Sequence, residues 1–254
     1  MAYRTIRPAT HQEWLDERKK GIGSSEAGTV MGVNHFDTPY KLWRRKTGVD
    51  GPIASSEAME LGHHMEPAVV TMFAARTGAF IVKNSEGDWI AADTKKDYLR
   101  VSPDRLFYAD GDKHTKRNLR ILECKTTSVS VDPDDFPVYW YCQLQYQMGV
   151  MGVKKGAVAW ISSYPRLNFG YKEFDFNPEF FKALEKTQSS LEDDIKIAMG
   201  EADTLVSPTG EVMALWKNTK PTMKFNAKAF QQDDPAGYAK YMEPTASTRR
   251  FSVK

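Results

Sequence analysis

Cysteine is nearly missing: the 254 residues hold two, Cys124 and Cys142. That excludes a four-cysteine zinc or iron–sulfur site and predicts a reducing compartment, the cytoplasm, as the place of work. Long apolar runs are missing too. None approaches the roughly 20 residues that a bilayer-spanning helix needs, so no membrane partner is expected. The first eight residues, Met1 to Pro8, lack the apolar stretch of a secretion signal. Neither sign of charge dominates: 35 Lys and Arg stand against 33 Asp and Glu, a formal +2. Such a balance neither demands nor excludes a nucleic-acid partner, and local patches must decide. Repeats and low-complexity tracts are absent. What is present is globular in kind, 41% hydrophobic and 27% charged, which excludes a disordered chain. The length suffices for one large domain or two small ones.

The densest chemistry lies in Leu119-Arg120-Ile121-Leu122-Glu123-Cys124-Lys125. Its apolar residues and its lack of Gly and Pro predict a buried strand. Side chains alternate along a strand, so Leu119, Ile121, Glu123 and Lys125 share one face and Arg120, Leu122 and Cys124 the other. An apolar strand thus carries a carboxylate beside an ammonium. Burying either charge alone costs several kcal/mol, so the pair is kept for mutual neutralisation or for a metal and substrate. Upstream, Val101-Ser102-Pro103-Asp104 is a second apolar approach to an acid. Two strands joined by a loop would bring Asp104 and Glu123 together. Two carboxylates and a lysine around a divalent metal suit phosphodiester hydrolysis.

Along the chain, residues 11–20 predict a short helix with Trp14 and Leu15 inward. Gly21-Ile22-Gly23-Ser24-Ser25 then feeds a helix N-terminus, an ordinary cap or a place for phosphate. Thr38, Pro39 and Gly48 frame a helix with Lys41, Arg44, Arg45 and Lys46 on its outer side. Residues 57–78 predict a longer helix, kinked or begun at Pro67, with Glu66 at the break and the adjacent His63 and His64 facing apart. Strands follow at 87–92, 98–102 and 104–109. A basic loop from Lys113 to Asn118 returns the chain to the central strand as a hairpin. A helix from Pro137 to Met151 carries the stripe Trp140, Leu144, Gln147 or Met148, and Met151, with Gln143 and Gln145 off it. A strand at 156–162 and its partner at 170–176 precede a helix capped by Asn177. Residues 201–254 differ in texture and are expected to form an extension packed on a domain of residues 1–200, its basic end an edge strand or a nucleic-acid contact.

Six motifs in order carry a resemblance: Arg18 with Gly21-Ile22-Gly23-Ser24-Ser25-Glu26; Leu42-Trp43 with Thr47-Gly48; Gly62-His63-His64-Met65-Glu66-Pro67; Ser102-Pro103-Asp104; Leu122-Glu123-Cys124-Lys125; and Gln143-Leu144-Gln145-Tyr146. Over roughly residues 14–200 the chain resembles the YqaJ-type viral recombinase family, which includes the phage lambda exonuclease. The resemblance implies an α/β (α+β), restriction-endonuclease-like fold of the PD-(D/E)xK kind, a central mixed sheet flanked by helices. It implies Mg²⁺-dependent 5′-to-3′ digestion of one strand of linear duplex DNA, with Mn²⁺ able to substitute. The partners it implies are duplex DNA ends, a single-strand annealing protein and further copies of the chain in a trimeric ring. By the same resemblance Asp104, Glu123 and the Cys124 carbonyl are metal ligands and Lys125 is the catalytic lysine. Glu66 is the helix acid that helps hold a metal-bound water, and Gln145 is the glutamine near the site. Arg18 and Ser25 receive the 5′-phosphate. One position departs: Val131 stands where the lambda-type enzyme has an arginine at the phosphate, so a strict need for that phosphate does not carry over unless His114, Lys116 or another base substitutes. Two further readings remain, an endonuclease or structure-specific nuclease on the same fold, and a catalytically idle DNA-binding module.

Overall fold

A computed structural model describes residues 3–51, 53, 55–82, 89–199, 204–206 and 212–215. Its centre is β7 (Arg120–Thr127), the middle strand of a five-stranded sheet ordered β3-β6-β7-β8-β9. The others are β3 (Phe80–Val82), β6 (Arg105–Tyr108), β8 (Lys155–Ser162) and β9 (Asn168–Asp175). β7 pairs antiparallel with β6 and parallel with β8, so the sheet is mixed, as the resemblance implies. Parallel neighbours need a crossover connection. Here it is α5 (Val138–Met151), which ends at Gly152 in the left-handed conformation, φ 67°.

The alternation along β7 decides what covers each face. Ile121 packs with Leu144, Met148, Val158 and Trp160 on the α5 side. Leu122 packs with Val69, Phe73 and Phe107 on the side of α4 (Glu57–Thr77). Glu123 and Lys125 therefore look toward α5, and Cys124 toward α4. Each large side chain buried this way contributes about 1.5–3 kcal/mol. Ser56 caps α4, and Pro67 lies inside the helix without ending it.

A second sheet was not foreseen. It is four-stranded, ordered β1-β4-β5-β2, from β1 (Tyr3–Ile6), β4 (Ile90–Asp93), β5 (Leu99–Val101) and β2 (Ile22–Gly23). α5 contacts β4 and β5 on this sheet and β7 and β8 on the other. A helix caught between two sheets must be buried all round, and every residue from Cys142 to Met151 is. The stripe expected on α5 is thus only part of its buried surface.

α1 (His11–Lys19) has no buried residue, and Leu15 is exposed rather than inward. The helix is held instead by polar contacts. Arg100, 2% exposed, bonds the Glu17 carboxylate and backbone at 2.6 and 3.0 Å and Asp97 at 2.5 Å. α3 (Pro39–Lys46) starts at Thr38 and Pro39 as expected. α6 (Pro178–Ala198) packs on α5, with Phe181 and Leu184 buried in the same cluster. The β6–β7 turn holds Gly111 at φ 73° and ties Asp112 to Arg120, a plain hairpin. Residues up to Leu215 form one compact unit, which takes in the paired strands β10 (Thr204–Val206) and β11 (Val212–Leu215). The rest of the expected extension lies outside the described residues.

Candidate active site

β6 starts immediately after Asp104, and β6–β7 pairing sets Arg105 opposite Leu122. Asp104 therefore arrives beside Glu123 and Cys124. Its Oδ2 accepts the Cys124 backbone N–H at 2.7 Å. Burial and the Glu123 charge push the Asp104 carboxyl well above the usual carboxylate range, while Lys125 pulls the other way. The two acids are thus close enough to repel.

Glu123 is 2% exposed and carries three donors. Lys125 Nζ and Gln143 Nε2 meet its Oε1 at 2.7 and 2.5 Å, and Gln147 Nε2 meets Oε2 at 2.7 Å. Lys125 Nζ also donates to Gln143 Oε1 at 2.8 Å. Burial opposes the ammonium, but Glu123 and then Asp104 outweigh it and hold the Lys125 pKa above its ordinary value. Lys125 is therefore a fixed cation at neutral pH and not a proton acceptor. The Cys124 thiol is pushed far up by burial and by the neighbouring acids, which leaves it a poor nucleophile.

Gln145 does not join this cluster. Its amide bonds Asp175 O at 2.9 Å and the Asn177 N–H at 2.8 Å, so it anchors the start of α6. At 3.6 residues per turn it lies about 200° around α5 from Gln143, whereas Gln147, four residues on, shares the Gln143 face. That i, i+4 pair is the signal that sequence reasoning passed over. Glu66 pairs with Arg105 at 2.6 Å, and its charge also raises Asp104.

Asp104, Glu66 and Gln143 line a cavity of about 910 Å³ that Arg18, Ser24 and Ser25 also line. Arg18 Nη2 donates to Ser25 Oγ at 3.1 Å, and its guanidinium lies 4.5 Å from the Trp14 ring centroid. The turn behind them is tightly held. Lys46 Nζ reaches Gly21 O at 2.6 Å, Arg18 O at 3.2 Å and Glu26 at 2.9 Å. A Cβ on Gly21 would sit 2.4 Å from Tyr98 O, so only glycine lets the turn approach β5. His63 lines the cavity. Val131 packs against the core around α5, a place for a methyl group and not for a phosphate.

A divalent cation fits these residues. Two neighbouring buried carboxylates, one of them driven toward its neutral form, are what such an ion relieves. Among the described residues no three His, Cys, Asp or Glu side chains gather as a cage.

The fold belongs to a known class. It matches an alkaline exonuclease from Laribacter hongkongensis with a TM-score of 0.57 at 16% identity, over 75% of this chain and 95% of that one. A phage-related exonuclease from Haemophilus somnus 129PT matches at 0.50 and 11% identity, over 71% and 96%. A family profile described as the YqaJ-like viral recombinase domain covers residues 13–154, and the chain belongs to that family. It is 30% identical over 201 residues to the uncharacterised protein YqaJ of Bacillus subtilis (strain 168). That alignment takes in 77% of this chain and 59% of the relative's length. No helix among the described residues is long and apolar enough to cross a membrane.

Proposed function

We propose that the protein is an exonuclease that hydrolyses one strand of linear duplex DNA from the 5′ end with Mg²⁺, Mn²⁺ substituting. The observation that carries this reading is the cluster of Asp104, Glu123, Lys125 and Gln143 beside a cavity that Arg18 and Ser25 also line. Asp104, Glu123 and the Cys124 carbonyl would hold the ion, whose chemistry is to lower the pKa of water and offset charge on the phosphate. Lys125, kept protonated by the two acids, stabilises the charge that builds on the phosphoryl oxygens in the transition state. Gln143 fixes both Lys125 and Glu123, so neither has to reorganise as the reaction proceeds. Arg18 and Ser25 bind the phosphate at the new 5′ end, and the restrained turn behind them sets its distance from the cleavage point. The family setting supports work beside a single-strand annealing protein and assembly as a homo-oligomer.

The test uses linear and covalently closed circular duplex, each with Mg²⁺ and with EDTA. Loss of linear DNA alone, and only with Mg²⁺, is expected. Cutting of closed circles would move the reading to an endonuclease, and cutting of neither to a DNA-binding module.

A further inference from the structure

Gln147 joins two parts of the site that are otherwise separate. Its Nε2 donates to Glu123 Oε2 at 2.7 Å, and the same nitrogen reaches Ser24 Oγ at 3.3 Å. All three side chains are shut off from solvent, with Gln147 0%, Glu123 2% and Ser24 5% exposed. The orientation of the amide is dictated by its neighbours. Turning it over would set Oε1 against the Glu123 carboxylate, acceptor against acceptor. The nitrogen has two N–H bonds, one for each partner. Oε1 is buried and has no hydrogen-bond partner among the described residues. A buried side chain that commits both donors and leaves its acceptor unmatched is an exception in folded proteins, and such exceptions gather where function fixes the geometry.

The chain supplies the next link. Ser24 is followed directly by Ser25, whose Oγ accepts from Arg18 at 3.1 Å. The path from Arg18 to Glu123 is therefore three hydrogen bonds and one peptide unit, with the Gln147 amide nitrogen in the middle. Its longest step, the 3.3 Å contact at Ser24, lies just beyond the ordinary N–H···O range. A small movement of the turn would change that step more than any other. In the sequence Gln147 fell on what looked like a packing stripe.

We propose that Gln147 is a positioning residue that couples the Ser24–Ser25 turn to Glu123, so that a terminal phosphate seated by Arg18 and Ser25 sets the Glu123 carboxylate for cleavage. This rests on the phosphate role given to Arg18 and Ser25 above. Occupancy of the turn draws Ser24 onto the amide, and the amide holds Glu123 Oε2 in place. A duplex end without the phosphate leaves the turn unloaded and Glu123 less well held.

The experiment measures kcat and KM on one linear duplex carrying either 5′-phosphate or 5′-hydroxyl ends. Wild type is expected to favour the phosphorylated end. Ser24→Ala should lower that preference at least fivefold, through kcat on phosphorylated ends with KM little changed. Gln147→Leu should lower it as far, and Ser24→Ala added to Gln147→Leu should lower it no further. A preference that survives Ser24→Ala with an unaltered melting temperature would overturn the proposal, as would fully additive losses in the double variant. If Gln147→Leu does not fold, Ser24→Ala decides alone. A wild type indifferent to the terminal phosphate would overturn this coupling together with the role of Arg18 and Ser25, whereas loss of the coupling alone leaves that role standing.

Discussion

A protonated lysine held 2.7 Å from a buried carboxylate is costly to dismantle and useful to keep. Lys125→Ala removes the cation proposed to face the scissile phosphate, and losing one such preorganised group lowers kcat by about 10²–10³, roughly 2.7–4 kcal/mol. Steady-state digestion of linear duplex should show that loss while gel-shift affinity for DNA is kept, and the same holds for Glu123→Ala. Normal turnover in either variant would remove the assignment. Asp104 gives a pH signature. Burial and Glu123 raise its carboxyl in the folded, metal-free protein, so the folded state keeps a proton that the unfolded chain has released. That stability is complete below the unfolded value and is lost as pH rises through the raised folded value. Melting in EDTA should therefore weaken as pH rises above the ordinary carboxylate range, with a flatter response in Asp104→Asn. Mg²⁺ should raise the wild-type midpoint more as pH rises and that of the variant little. At 100 times its Kd the ion would add about 2.7 kcal/mol.

At the scale of elements, α1 has no buried side chain and depends on Arg100 of β5. Lys20 and then Arg100 hold the Glu17 carboxyl below its ordinary value. Burial pushes Asp97 up, but hydrogen bonds from Arg4 and Arg100 more than reverse it. Depressed carboxyls add stability that is present above their unfolded values and lost as pH falls through the folded ones. Arg100→Ala should cost about 1.5–3 kcal/mol in urea unfolding, as loss of hydrogen bonds to charged groups does when the acids left behind reach solvent, and should reduce acid sensitivity below the ordinary carboxylate range. The α5–α6 contact is equally specific. A Cβ on Gly149 would fall 2.1 Å from the Phe181 ring, so Gly149→Ala should destabilise by about 1–3 kcal/mol or more. β6, β7, β8 and β9 were legible because alternation and turn residues mark such strands locally, and Glu123 and Lys125 fell on the predicted face. β4 and β5 were read as strands too, at 87–92 and 98–102, but β1, β2 and the joining of the four into a second sheet were not. Short strands such as Ile22–Gly23 take their form from distant partners and carry no period of their own. The glutamines failed for a related reason: Gln143, Gln145 and Gln147 are chemically alike, and only the roll of α5 between its two sheets separates the pair at Glu123 from the one at Asn177.

At the scale of the molecule, a mixed sheet lined by α4 on one face and α5 on the other sets Asp104, just before β6, in the wall of a cavity and Glu123 of β7 beside it. Arg18 on α1 and Ser25 in the turn after β2 line the same cavity, so the proposed distance between phosphate and cleavage point is a property of the whole fold and not of any motif. The most direct test of the central claim is anomalous diffraction from crystals of the protein soaked in Mn²⁺. The account predicts an ion in contact with the carboxylates of Asp104 and Glu123 and the carbonyl oxygen of Cys124, at oxygen-ligand distances of about 2.0–2.2 Å. An ion bound elsewhere, with Asp104 and Glu123 untouched at saturating Mn²⁺, would contradict it.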